Sequence, residues 1–169
     1  MELPFYFGEQ HLQVRDMVRE FARTEVAPVA KDLDRTSEFL WDNVAKMGPL
    51  GLLGVPWPEE LGGAGMDQLS YYIVLHELAK VDASHALTVS AHTNLGTSPI
   101  MDFGTDEQKR RYVPLLAAGK VLGGFGLTEP DAGSDPGSMR THARRDGSDW
   151  VLNGAKMWIT NGTIADVAV

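Results

Sequence analysis

Val14, Met17, Val18 and Phe21 recur at the i, i+3, i+4, i+7 spacing of one helix face, with Arg15, Asp16, Arg19, Glu20 and Arg23 between them. The pattern predicts an amphipathic helix over residues 9–25 that Pro28 ends or kinks. A shorter helix from about Phe39 to Met47 stops at Gly48-Pro49. The stretch 51–67 holds five glycines and two prolines and reads as a long connector. Residues 69–80 and 84–95 are apolar around most of their circumference, as helices buried on more than one side are. Thr105 and Gln108 have the spacing of a capping box for a helix running towards Leu116 and ending at Gly119, with Pro114 a local distortion.

After Gly119 the texture changes. Residues 121–128, 141–145, 150–152 and 157–160 are short β-prone runs, and Asp146-Gly147, Asn153-Gly154 and Asn161-Gly162 are hairpin-type turn signals. The expected class is α+β: an all-α bundle over 1–120, followed over 121–169 by the first strands of an incomplete, antiparallel β-barrel-like domain. Helices followed by strands exclude the alternating βαβ order of a doubly wound sheet. The last residues, Ile164-Ala-Asp-Val-Ala-Val169, alternate like a strand with no turn after it, so a truncated C-terminus is expected.

A composition of 43% hydrophobic and 22% charged residues is that of a globular protein. The formal net charge of -8, with no basic stripe, argues against binding a phosphate backbone, so nucleic acid is not an expected partner. With no cysteine there is no disulfide framework, thiolate metal site or cysteine nucleophile. The N-terminus lacks the features of a signal peptide and no run has the length of a membrane span, which makes the cytoplasm the expected location.

Two segments carry candidate chemistry: Gly124-Phe-Gly-Leu-Thr-Glu-Pro-Asp-Ala-Gly-Ser-Asp135 and Met157-Trp-Ile-Thr-Asn-Gly162. Each sets a Thr and an aromatic beside glycines that let backbone N–H groups approach a ligand closely, and together they can wall a flat, polar-edged ring. Thr128 and Thr160 are suited to hydrogen-bonding such an edge, and Trp158 offers an aromatic face. Phe125, Gly126, Leu127 and Ile159 offer backbone groups. Gly133-Ser134-Asp135 follows a turn, where its hydroxyl and N–H groups can meet a phosphate or an amide.

In their order and spacing, residues 126–135 and 156–162 resemble the two flavin-side signatures of the acyl-CoA dehydrogenase family, and the helical stretch 9–120 resembles that family's N-terminal domain. The resemblance covers essentially the whole chain. It implies FAD as cofactor, bound by Phe125, Gly126, Leu127, Thr128, Trp158, Ile159 and Thr160. Ser134 matches the position where the flavin meets the pantetheine arm of the CoA thioester, which makes it the substrate-binding candidate as well.

In the family a carboxylate takes the α-hydrogen as a proton and the flavin takes the β-hydrogen as hydride, giving a trans-2-enoyl-CoA in fatty acid metabolism. Electrons then pass to an electron-transfer flavoprotein, and the usual assembly is a homotetramer. Family members run to well over twice this length, and the base lies in a second helical domain that this chain lacks. No catalytic residue is therefore assigned, and Glu129, followed by Pro130, is read as structural.

His85 and His92 share a helix face, but no third ligand stands at suitable spacing, and His76-Glu77 is followed by Lys80 where a zinc helix needs His; no metal is expected. No Lys or Arg occurs between Lys80 and Lys109, whereas the glutaryl-specific members carry a cationic anchor roughly where Ala86 stands. A dicarboxylic substrate is therefore disfavoured, and the stretch from Ser90 to Leu95 resembles that of the short- or branched-chain members. An acyl-CoA oxidase using oxygen, and a non-catalytic fragment acting at most as a binding domain, are the alternatives.

Overall fold

The computed structural model describes residues 7–169. The first helix outruns its predicted stripe: α1 (Glu9–Phe21) passes through a π-helical segment, Ala22–Val26, into α2 (Ala27–Thr36). Pro28 lies in the first turn of α2. It lacks an N–H and its ring crowds the carbonyl four residues back, and the widened π turn accommodates it without breaking the helix. α3 (Trp41–Met47) follows, then α4 (Gln68–Ala79), capped by Asp67, whose carboxylate accepts the Ser70 N–H at 2.8 Å. α5 (Ala83–Ser90) repeats the first device, running through a second π segment, Ala91–Thr97, into α6 (Ser98–Phe103) with Pro99 in its first turn.

α7 (Asp106–Ala117) begins on the expected capping box, with both Thr105–Gln108 bonds made at 2.8 and 3.2 Å, and continues through Pro114. It ends where Gly119 turns left-handed at φ 66°, with the Lys120 N–H on the Leu115 carbonyl and the Gly119 N–H on the Leu116 carbonyl. α4 packs between α1 and α5. Val18, Phe21, Met47, Tyr71, Val74, Leu78, Val89 and Leu122 form the centre of the core. Each such side chain contributes about 1.5–3 kcal/mol by leaving water.

The stretch 51–67 is not the connector its composition suggested. Leu52, Leu53, Val55 and Trp57 are buried in it. Its N–H groups at Ala64, Gly65 and Met66 donate to the carbonyls of Gly54, Trp57 and Val55, so the buried backbone satisfies itself. A Cβ on Gly63 would stand 2.1 Å from the Trp57 carbonyl oxygen, so only glycine fits that turn.

The strands are β1 (Gly123–Gly124), β2 (His142–Asp146), β3 (Asp149–Asn153) and β4 (Val167–Ala168). β2 and β3 form the antiparallel hairpin that Asp146-Gly147 signalled, with Gly147 at φ 62°. The remaining β expectations need correction. Run 121–128 shrinks to β1, which pairs in parallel and not antiparallel with β4, Gly123 opposite Val167; with β2–β3 this leaves two separate two-stranded sheets among the described residues, unclosed as expected of an incomplete barrel-like domain. Run 157–160 is not a strand, because Trp158 and Asn161 stand at φ 59° and 64°, and left-handed residues break an extended run. Asn153-Gly154 ends β3 without making a hairpin, and Asn161-Gly162 lies in a turn leading to β4. Leu122 sits in the helical core, so β1 is built onto the helices.

Candidate functional site

The two Gly- and Thr-containing segments meet. The Met157 N–H donates to the Thr128 carbonyl at 2.8 Å, and Lys156 Nζ reaches the Leu127 carbonyl at 3.1 Å. Between them lies a cavity of about 430 Å³ lined by Gly124, Gly126, Lys156, Trp158, Ile159 and Gly162 with three neighbours from the β4 side. Gly126, Trp158 and Ile159 thus share one wall region, while Phe125, Leu127, Thr128 and Thr160 flank it in the chain. Ser134 is not brought to the cavity lining; it lies in an exposed turn just before the 3₁₀ turn Pro136–Ser138.

Some backbone groups expected to meet a ligand are used internally: the Gly126 N–H on the Val169 carbonyl at 2.7 Å, and the Leu127 and Thr128 carbonyls as above. The N–H groups of Leu127, Thr128, Trp158, Ile159 and Thr160 find no acceptor among the described residues, and neither do the Thr128 and Thr160 hydroxyls. These donors stand on exposed or half-buried backbone, where solvent or an acceptor-rich ligand edge can meet them. Trp158 is 86 % exposed and left-handed. An aromatic held in that conformation while packing against so little is the kind of strain that functional sites retain.

Glu129 is a structural anchor. Its carboxylate accepts N–H bonds from Arg140 at 2.6 Å and Thr141 at 3.0 Å and pairs with Lys156 at 2.8 Å. Lys156 foremost, with the Thr141 and Arg140 donors, holds its carboxyl at about 2. A carboxylate so committed has no free lone pair directed at a substrate proton.

Two positioning residues had weak sequence signals. His92 is fully buried; its Nδ1 accepts the Gly123 N–H at 3.1 Å, so Nε2 carries the proton and donates to the Leu116 carbonyl at 3.1 Å. Burial pushes this imidazole down to about 4, keeping it neutral. Asn161 donates from Nδ2 to the Gly123 carbonyl at 3.2 Å. Its sequence trace was the Asn-Gly dipeptide, whose preference for left-handed backbone is real although no hairpin results. His85 binds Asp82 through Nδ1 at 2.5 Å. Among the described residues no group of three or more His, Asp or Glu is arranged to hold a metal, and no helix is long and apolar enough to cross a membrane.

Family models match both parts of the chain: the acyl-CoA dehydrogenase N-terminal domain over residues 8–120 and the middle domain over 124–169. An acyl-CoA dehydrogenase of Bacillus subtilis is 47% identical over 161 residues, covering 95% of this chain and 42% of that protein. A short-chain-specific acyl-CoA dehydrogenase of Clostridium acetobutylicum is 50% identical over the same shares. Among solved structures, a glutaryl-CoA dehydrogenase from Mycobacterium smegmatis in complex with FADH2 superposes with TM-score 0.91 at 41% identity, covering 96% of this chain and 42% of that one. Butyryl-CoA dehydrogenase from Megasphaera elsdenii gives 0.91 at 35%, covering 98% and 44%. The chain spans less than half the length of these relatives.

Proposed function

The chain belongs to the acyl-CoA dehydrogenase family, an oxidoreductase family, and from that premise we propose that the complete protein is an FAD-dependent dehydrogenase of short- or branched-chain acyl-CoA thioesters, forming trans-2-enoyl-CoA. The observation that carries the reading is the cluster of unpaired N–H groups at Leu127, Thr128, Trp158, Ile159 and Thr160, on two segments joined through the Met157–Thr128 bond. Such donors suit the nitrogen and carbonyl acceptors along an isoalloxazine edge.

The residues present fit the cofactor. Gly124 and Gly126 leave bare backbone at the cavity wall, where a Cβ on Gly126 would already lie 3.3 Å from Lys156 Cγ. FAD, when bound, supplies an acceptor for the β-hydride. Thr128 and Thr160 orient its polar edge through their hydroxyls. Trp158 covers the ring and excludes water from it, and Phe125, Gly126, Leu127 and Ile159 complete the wall. Ser134, on its exposed turn, is the contact for the substrate's pantetheine arm. No residue of this chain is assigned as the base that takes the α-proton, and Glu129 is committed to its turn.

Ala86 is buried in α5, and neither α5 nor the following π segment bears a Lys or Arg, so no cation is available there for a second carboxylate. That favours a monocarboxylic acyl group, in line with the short-chain-specific relative. An electron-transferring flavoprotein as acceptor belongs to the same reading, supported by a 41% identical structure, TM-score 0.95, from work on the electron transferring flavoprotein of Acidaminococcus fermentans. A homotetrameric assembly completes it.

The test is anaerobic titration of the purified full-length protein with butyryl-CoA and glutaryl-CoA. Flavin absorption at roughly stoichiometric occupancy, bleached by butyryl-CoA and not by glutaryl-CoA, is the expected outcome. A protein that takes up no FAD on reconstitution overturns the reading.

A further inference from the structure

β1 lies where the helical core hands the chain over to the proposed flavin segment, only one residue before Phe125. Both backbone polar groups of Gly123 are held by side chains from distant elements: its N–H by His92 Nδ1 at 3.1 Å, its carbonyl by Asn161 Nδ2 at 3.2 Å. His92 reaches on to the Leu116 carbonyl in the last turn of α7, also at 3.1 Å. The strand lies directly on the helix below it, since a Cβ on Gly96 would stand 2.7 Å from Gly123 Cα. No side chain fits between helix and strand there, so at Gly123 itself the imidazole supplies the contact that side-chain packing supplies at its neighbour Leu122.

We propose that His92 is a positioning residue for the flavin wall: its Nδ1 fixes the register of Gly123 and thereby the placement of the Leu127 and Thr128 donors, while its Nε2 serves the separate task of tying α7 to the π segment. The proposal rests on the flavoenzyme reading above. The two nitrogens divide the work in a way that two substitutions can separate. An Asn amide oxygen, one bond from Cγ, stands in for Nδ1 but does not reach Leu116; a Gln amide nitrogen stands in for Nε2 but leaves the Gly123 N–H without its acceptor.

The experiment compares the full-length parent, His92→Asn and His92→Gln in three readouts: the FAD dissociation constant, the visible flavin spectrum, and hydrogen-exchange protection of the Gly123 amide. His92→Asn is expected to keep FAD affinity within about twofold of the parent, since the bond to Gly123 survives, even though its melting temperature falls. His92→Gln is expected to weaken FAD roughly tenfold, to shift the flavin band and to deprotect the Gly123 amide, the loss of one buried hydrogen bond being worth about that factor. FAD loss in both variants in proportion to lost thermal stability would show His92 to be merely structural. His92→Gln with parental flavin affinity and spectrum overturns the proposal alone, whereas a parent that binds no FAD overturns the flavoenzyme reading together with it.

Discussion

Acidification should destabilise the helical core through His92 before any carboxylate contributes. The imidazole is fully buried and neutral, at about 4 in the folded chain against the usual 6.5 when unfolded. Between those values the unfolded chain binds a proton that the folded chain refuses, so stability is fully present above pH 6.5 and drains away as pH falls towards 4. At ~1.4 kcal/mol per pH unit, and with the folded imidazole itself half protonated at its own value, the loss by pH 4 is about 3 kcal/mol, a large share of the stability of an ordinary domain. Glu77 and Glu129 are both held at about 2 and begin to cost stability only below their usual 4.5, so the windows barely overlap. For Glu77 burial works in the opposite direction, but Arg19 and Lys80, each bonded at 3.0 Å, outweigh it. Urea denaturation of the full-length protein and of His92→Asn, from pH 7 down to pH 4, measures the effect as a difference. Because Asn does not titrate, the parent's advantage should shrink by about 3 kcal/mol across that range. Parallel loss of stability in the two proteins would refute the reasoning.

The close approach of helix and strand gives a second expectation. In Gly96→Ala the new methyl would meet the Gly123 backbone at 2.7 Å, and backbone cannot swing aside as a side chain can. Thermal melting should report roughly 1–3 kcal/mol of destabilisation, with weaker FAD retention in the same protein; an unchanged melting point would mean that β1 yields freely. Trp158→Asn should do the reverse. Asn tolerates the φ of 59° and the indole is 86 % exposed, so the variant should melt no lower than the parent, with a gain on the order of 1 kcal/mol, while FAD affinity falls. A variant that loses stability and keeps its flavin would show that Trp158 packs and does not bind.

Local signals carried far. The Val14–Phe21 stripe, the Asp146-Gly147 hairpin and the Thr105–Gln108 box are built from residues within a few positions of each other, so their physics is contained in the string. Pro28 was legible as a disturbance but not in kind, since a proline specifies only what it removes from the ladder; the packing of the surrounding helix decides between a break and a π turn. The stretch 51–67 misled because glycine and proline mark turns, and nothing local says that a turn will be buried.

In the candidate site the same division holds. The residue types of both segments, with donors, glycines and aromatics in order, were written in the chain, and they sufficed for a family resemblance. That Met157–Thr160 is a turn and not a strand depends on the Met157 bond to Thr128 and on Asn161 reaching Gly123, 38 positions away. The parallel pairing of Gly123 with Val167 and the clamp of His92 on Gly123, 31 positions apart, are likewise contacts without any local trace. The sequence by itself determined which elements form and which side chains are available. Only the tertiary structure decided which of them meet, because the strain of a left-handed Trp158 and the burial of a neutral His92 are costs that long-range hydrogen bonds and packing must offset.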